Sequence, residues 1–238
     1  MTHPLFNGAR DQNSTRQTRI KICCMASTEE AELAIARGAD ALGLVSAMPS
    51  GPGPIADDLI GRIARSVPSH IGTFLLTCET KATPIADQAR RARVNTVQLV
   101  DRVEPGTHGA LRELIPDVAL VQVIHVTGEE SVDEAVDVSD DVDCILLDSG
   151  NPSLAVKELG GTGRRHDWQV SRRIRDAVAV PVFLAGGLNG SNVVEAIRIV
   201  QPFGVDVCSG VRTNGRLDAT KLDAFISGVR MATGVGRN

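Results

Sequence analysis

Residues 181–211 read PVFLAGGLNGSNVVEAIRIVQPFGVDVCSGV, and in them a short apolar run twice gives way to a small-residue loop that leads towards a helix. PVFLA, bounded by Pro181 and Gly186, has the length and composition of a buried parallel strand. Gly186-Gly187 then lets backbone N–H groups approach an anion closely. Asn189 or Ser191 can cap the helix that follows, where Val193, Val194, Ile197 and Val200 recur at helical spacing, so the turn faces a positive helix end. GVDVCSGV, residues 204–211, repeats the device, with Ser209-Gly210 in the place of the paired glycines. Two such loops after the last two strands form the usual phosphate site of a (β/α)8 barrel; a pair of plain tight turns is the alternative.

Working outward, the alternation of strand and helix continues to both ends of the chain. Strands are expected at 19–24 (RIKICC), 39–45, 70–77, 96–100, 118–126 and 142–148, before the two already quoted. Helices are expected at about 28–37, closed by Gly38, and at about 56–66, 84–93, 107–115, 129–138, 168–178 and 219–231. Alternation of this kind predicts an α/β fold with a parallel sheet, and eight units within 238 residues favour a single-domain (β/α)8 TIM barrel over a doubly wound open sheet. Residues 1–17 are polar and aperiodic, so they are expected to form a flexible N-terminal extension, with 18–238 as the barrel. One gap is long: DSGNPSLAVKELGGTGRRHDW, 148–168, leaves the carboxyl end of the sixth strand, where barrel enzymes carry their chemistry. Its Gly160, Gly161 and Gly163 offer a third glycine run beside the first two.

Composition bounds the partners. Hydrophobic residues make up 42% of the chain, enough for a substantial core, and the 25 basic and 29 acidic side chains are spread without the basic block that nucleic acid or an anionic membrane attracts. No apolar run has the length of a membrane span, and the first residues lack the apolar core of a signal peptide, so a cytoplasmic protein with a small-molecule partner is expected. The five cysteines are odd in number and two are adjacent, which is no disulfide framework, and no Cys/His cluster has zinc-ligand spacing. No metal is therefore assigned. No sequence feature assigns an oligomeric state.

Strand parity puts Lys21 and Cys23 on one face of the first strand, with Ile20, Ile22 and Cys24 on the other. A lysine is poorly suited to the helical layer, so Lys21 and Cys23 are expected inside the barrel, Cys23 nearer the carboxyl end. Asp148 ends the sixth strand after CILL. A thiol and a carboxyl at one barrel mouth, beside a phosphate site, can supply a base and an acid for moving a proton along a sugar phosphate. A neighbouring cation such as Lys21 would raise the thiolate fraction of Cys23. Taken singly, Cys23 reads more readily as a small buried hydrophobe and Asp148 as a loop cap.

KIC at 21–23, GADALGL at 38–44, VQL at 97–99, LLD at 146–148, GGTG with the following DW at 160–168, FLAGGL with Asn192-Val193, and GVDVCSGV at 204–211 together resemble phosphoribosylanthranilate isomerase. The likeness is collinear over about 19–230. It implies a (β/α)8 barrel that performs a cofactor-free Amadori rearrangement of N-(5-phosphoribosyl)anthranilate in tryptophan biosynthesis. It also implies that Cys23 is the general base and Asp148 the general acid. Lys21, Gly161, Gly163, Gly186, Gly187, Ser209 and Gly210 are expected to meet a phosphorylated sugar amine. The chain departs from the family's pattern on the side that faces the aromatic ring. Cys24 and Ala26 replace a glycine and a threonine, residues 46–61 contain no arginine, the fourth strand ends QLVD, and His125 stands where an arginine is usual. A related isomerase for another phosphorylated sugar amine would use the same Cys23 and Asp148. A phosphate-ligand sensor would need the glycine loops and neither of those two residues.

Overall fold

The computed structural model describes residue 3, residues 5–6, 17–150 and 165–234. Among them the elements run β1 Arg19–Ile22, α1 Thr28–Arg37, β2 Ala41–Val45, α2 Asp57–Ser66, β3 Gly72–Thr77, α3 Ala82–Ala92, β4 Thr96–Leu99 and α4 Thr107–Leu114. They continue with β5 Ala119–His125, α5 Glu130–Ser139, β6 Cys144–Asp148, α6 Trp168–Ala177, β7 Val182–Leu184, α7 Val193–Val200 and β8 Gly204–Val207. A short 3-10 turn over Ser209–Val211, a two-stranded hairpin of β9 Arg212–Thr213 and β10 Arg216–Leu217, and α8 Ala219–Ala232 complete the order. Strands β1 to β8 pair in parallel, each with its neighbour in sequence, and β8 returns to β1, so the sheet is a closed barrel. The fold class expected from the alternation is the one found.

Period-two alternation sorts the strand residues between two cores. Ile20, Ile22, Leu42, Leu44, Val97, Leu99, Ile145, Leu147 and Val205 face outward and pack under the helices. Ala41, Val45, Phe74, Leu76, Val121, Val123, Cys144, Leu146 and Phe183 fill the barrel itself. Interior side chains lie in layers, as in other barrels of this type, so the upper layer alone is available for chemistry.

Local signals set most helix ends. Ser27 accepts the Glu30 N–H at the start of α1 and Gly38 closes it in the left-handed conformation; Asp167 and Asp218 cap α6 and α8 in the same way as Ser27. The cap of α7 differs from expectation. Asn192, rather than Asn189 or Ser191, occupies the N-cap; its side chain accepts the Asn189 N–H at 2.9 Å and donates to the Gly187 carbonyl at 2.9 Å, binding the turn to the helix start. The β9–β10 hairpin was not expected. Its loop is Asn214-Gly215, both at positive φ, the pair that a two-residue hairpin turn favours.

The reading of the first strand is corrected. β1 ends at Ile22, and Cys24 adopts φ 64°, which turns its side chain from the helical layer into the barrel mouth. The described residues of the N-terminal segment pack against the barrel. Leu5 is buried in the interior core, His3 Nε2 lies 3.0 Å from Thr96 Oγ1, and Phe6 contacts the rings of Phe74 and Phe203, so these residues cover the floor of the barrel.

Candidate active site

The open cavity at the carboxyl ends of the strands is lined by Cys23, Cys24 and Val45, by Met48 and Ser50–Pro52 of the loop after β2, and by Leu76, Gln98 and Val100. Asp148, Ala185–Leu188 and Asp206–Ser209 complete it. Position follows from strand register. Val207 pairs with Ile22, and the Cys23 N–H extends the ladder to the Val207 carbonyl at 2.8 Å, so Cys23 rises just above the end of β1. Its thiol leans over β2, where only glycine fits: a Cβ on Gly43 would lie 2.6 Å from Cys23 Sγ.

Asp148 is the last residue of β6. Its carbonyl accepts the Val126 N–H at 2.9 Å, and its Oδ1 accepts the Ser149 N–H at 2.7 Å. Burial raises its pKa above the usual carboxylate value, while the Ser149 hydrogen bond and the nearby His125 and Lys21 oppose that rise. A carboxyl that holds its proton more tightly than usual is suited to donating it.

Beneath the cavity lies an ion pair. Lys21 is fully buried, its Nζ donates to Asp206 Oδ2 at 2.8 Å, and it stands 5.3 Å from the centre of the Phe74 ring. Burial alone would lower the Lys21 pKa; Asp206, with a smaller contribution from Cys23, outweighs it and the net direction is up. The ammonium is thus inside the barrel, as parity required, but it is engaged below the cavity and does not line it. Lys21 as a direct contact to substrate is corrected on this ground. Asp206, which the sequence reading passed over, does line the cavity, and its Oδ1 has no partner among the described residues. Gln98 Oε1 is in the same state. Both lie on the inward parity of their strands, the one signal that could have marked them.

Gly186 and Gly187 adopt φ of 80° and 65°, a conformation that glycine takes freely, and both line the cavity. Ser209 joins them from the turn after β8, whereas Gly210 acts one layer behind: a Cβ there would fall 2.0 Å from the Leu188 carbonyl oxygen. Gly210 therefore lets the two loops meet rather than facing the cavity. Gly161 and Gly163, with Gly160, lie outside the described residues. His166, just before α6, is packed behind Gly186, and burial lowers its pKa to about 4, so it stays neutral. Among the described residues no group of three or more His, Cys, Asp or Glu is arranged to hold a metal, and no helix is long and apolar enough to cross a membrane.

A closed parallel β/α barrel with a thiol and a proton-retaining carboxyl at the carboxyl-end mouth, beside a glycine-lined turn, defines the class: a barrel enzyme equipped for acid–base chemistry. Comparison narrows it. The sequence model of N-(5'-phosphoribosyl)anthranilate (PRA) isomerase matches residues 20–228. An N-(5'-phosphoribosyl)anthranilate isomerase of Methanosarcina mazei is 36% identical over 229 residues, covering 91% of this chain and 96% of the relative. That of Haloferax volcanii is 36% identical over 221 residues, covering 91% and 95%. The crystal structure of phosphoribosyl anthranilate isomerase from Thermotoga maritima superposes with a TM-score of 0.76 at 30% identity, covering 90% of this chain and 99% of that one. A phosphoribosyl anthranilate isomerase crystallised with reduced 1-(o-carboxyphenylamino)-1-deoxyribulose 5-phosphate gives 0.74 at 27% identity, with the same coverage. The chain belongs to the N-(5'-phosphoribosyl)anthranilate isomerase family.

Proposed function

We propose that this chain isomerises N-(5'-phosphoribosyl)anthranilate to 1-(2-carboxyphenylamino)-1-deoxyribulose 5-phosphate, a step of tryptophan biosynthesis, with Asp148 as general acid and Cys23 as general base. The observation that carries the roles is that both side chains line one cavity with Gly186 and Gly187 at its edge. Asp148 protonates the furanose ring oxygen as the ring opens to a Schiff base. The Cys23 thiolate then takes the proton from C2, giving an enolamine that tautomerises to the ketone. Hydrogen is only moved within the substrate, so the reaction balances without a redox cofactor. Lys21, fully buried and paired with Asp206, does not touch substrate.

The substrate phosphate is held by backbone N–H groups at Gly186-Gly187 and by Ser209. The unpartnered oxygens of Asp206 and Gln98 meet sugar hydroxyls or the amine between the two ends. A soluble, cytoplasmic enzyme with a phosphorylated sugar amine as its partner follows from this reading. Steady-state turnover of freshly prepared N-(5'-phosphoribosyl)anthranilate, followed by loss of its fluorescence, tests it. No turnover by folded protein would sink the assignment.

A further inference from the structure

We propose that Cys24 and Cys208 are a disulfide-forming pair on the rim of the active-site cavity, and that closing the bond switches the enzyme off. The effect on activity rests on the site reading given above; formation of the bond does not.

The pair is brought together by barrel closure. β1 and β8 are neighbours, Ile22 opposite Val207, and the ladder extends to the Cys23 N–H. Cys24 and Cys208 therefore leave adjacent strand ends. Continued one step, the register sets Cys208 opposite Cys23 and Cys24 one residue further along, a diagonal of about 6 Å from a strand spacing of about 4.8 Å and a rise of about 3.3 Å, within the Cα separations of about 4.4–6.8 Å that disulfides span. An ordinary extended residue at 24 would point into the helical layer, but the left-handed backbone of Cys24 turns its thiol into the mouth, where it meets the Pro52 carbonyl at 3.6 Å and lines the same cavity as Cys208. Cys23 does not compete for this partner, because its thiol leans the other way, over Gly43 on β2.

The two thiols are also chemically unlike. The hydrogen bond from Cys24, aided by the charge of Arg212, holds Cys208 below the usual thiol range against the effect of burial. The same contact, with Cys23 and burial added, pushes Cys24 up. Arg212 is fixed in place by Glu30 and by its bond to the Cys24 carbonyl. Cys208 is also the more open of the two, so an oxidant reaches it first. A peroxide supplies the oxidising equivalents. The Cys208 thiolate attacks one peroxide oxygen, the O–O bond breaks, and a sulfenic acid and one water (or alcohol) result. Cys24 then gives up its proton and attacks the Cys208 sulfur, the S–S bond forms and a second water leaves. Two thiols lose two electrons and the peroxide gains them.

Such a bond ties the residue after Cys23 to the residue before Ser209, and so displaces the proposed base and the phosphate turn together. Intracellular disulfides are mostly transient and regulatory, which suits two free cysteines on adjacent strand ends at one cavity.

The test treats the reduced full-length protein with hydrogen peroxide, maps its peptides by mass spectrometry without reduction, and follows turnover in parallel. The expected product is a Cys24–Cys208 cross-link, lighter by two hydrogens and reversed by dithiothreitol, with kcat/KM reduced about tenfold or more while it persists. Cys24→Gly, which suits the left-handed backbone, and Cys208→Ser, each compared with its own reduced activity, should lose the dithiothreitol-reversible component of inactivation. A cross-link that contains Cys23, or oxidised Cys208 left unlinked, overturns the pairing. A Cys24–Cys208 bond that leaves turnover unchanged overturns the switch. A bond that forms normally in protein with no isomerase activity when reduced would refute the substrate assignment and leave the pairing standing.

Discussion

Asp148 and Cys23 stand out in the sequence as candidates, Asp148 as the last residue of an apolar strand and Cys23 just past the end of one, on the inward parity of Lys21. Their neighbours show where that reasoning stops. Cys24 was assigned to the helical layer by the same parity, and the assignment fails because β1 has ended at Ile22 and the backbone turns to φ 64°. Asp206 was passed over within GVDV although its inward parity equals that of Lys21, its register partner. A strand carboxylate next to a loop looks like a cap until the buried ammonium opposite it is known. For the proposed acid and base, positioned proton transfer is worth roughly 10² to 10⁴ in rate. Cys23→Ala and Asp148→Asn should each lower kcat by at least about 10², with far smaller changes in affinity for a product analogue. Near-full kcat in both variants would remove the assigned roles. The pH profile adds a sign: burial raises the Asp148 pKa, so the acid form persists above the ordinary carboxylate range and activity falls as pH rises through the shifted value. That dependence should vanish in the residual activity of Asp148→Asn.

At the scale of elements, helix positions were legible to within a few residues because caps and glycine stops are local signals. The connections were less so. Asn214-Gly215 is a hairpin signal in plain view, but strands of two residues leave no alternation beside it, and the unit is held by a distant helix instead. Glu30 on α1 accepts the Ala26 N–H, the Leu217 N–H and both terminal nitrogens of Arg212, joining the loop after β1 to the hairpin. Although partial burial pulls the other way, those donors set the Glu30 pKa below its ordinary value of 4.5. A depressed folded-state value means stability that is present above the unfolded pKa and lost as pH falls through the folded one. Glu30→Gln should therefore cost about 1.5–3 kcal/mol near neutral pH, and the gap to the native chain should narrow as pH drops below 4.5. Denaturant melts at neutral and acid pH check this; a gap independent of pH would mean the carboxylate charge is not what holds the hairpin. On the β7–α7 turn, Gly187→Leu forces a branched side chain into φ 65° and into the space proposed for phosphate. KM should rise about tenfold to a hundredfold, as for loss of a charged hydrogen bond, and unchanged binding of a phosphorylated ligand would sink the cradle.

For the whole molecule, the barrel and its closure were legible from the count of eight alternating units, but which side chains meet where the eighth strand joins the first was not, since no local pattern states it. The structure shows what lies at that seam. Lys21 and Asp206 are register partners across β1 and β8, and their side chains form the buried ion pair inside the barrel. Desolvating two charges is costly, so the pair adds little net stability beyond well-packed apolar residues, yet removing one member strands the other without water. Lys21→Met should cost about 3–5 kcal/mol and loosen β1 and β8 ahead of the other strands, read as faster amide exchange in those two alone. Adding Asp206→Leu to the same chain should return much of that stability, because no buried charge remains, while turnover stays low if Asp206 meets the sugar. Equal destabilisation in the single and the double variant would show that the seam depends on the ion pair itself rather than on the absence of an unpaired charge.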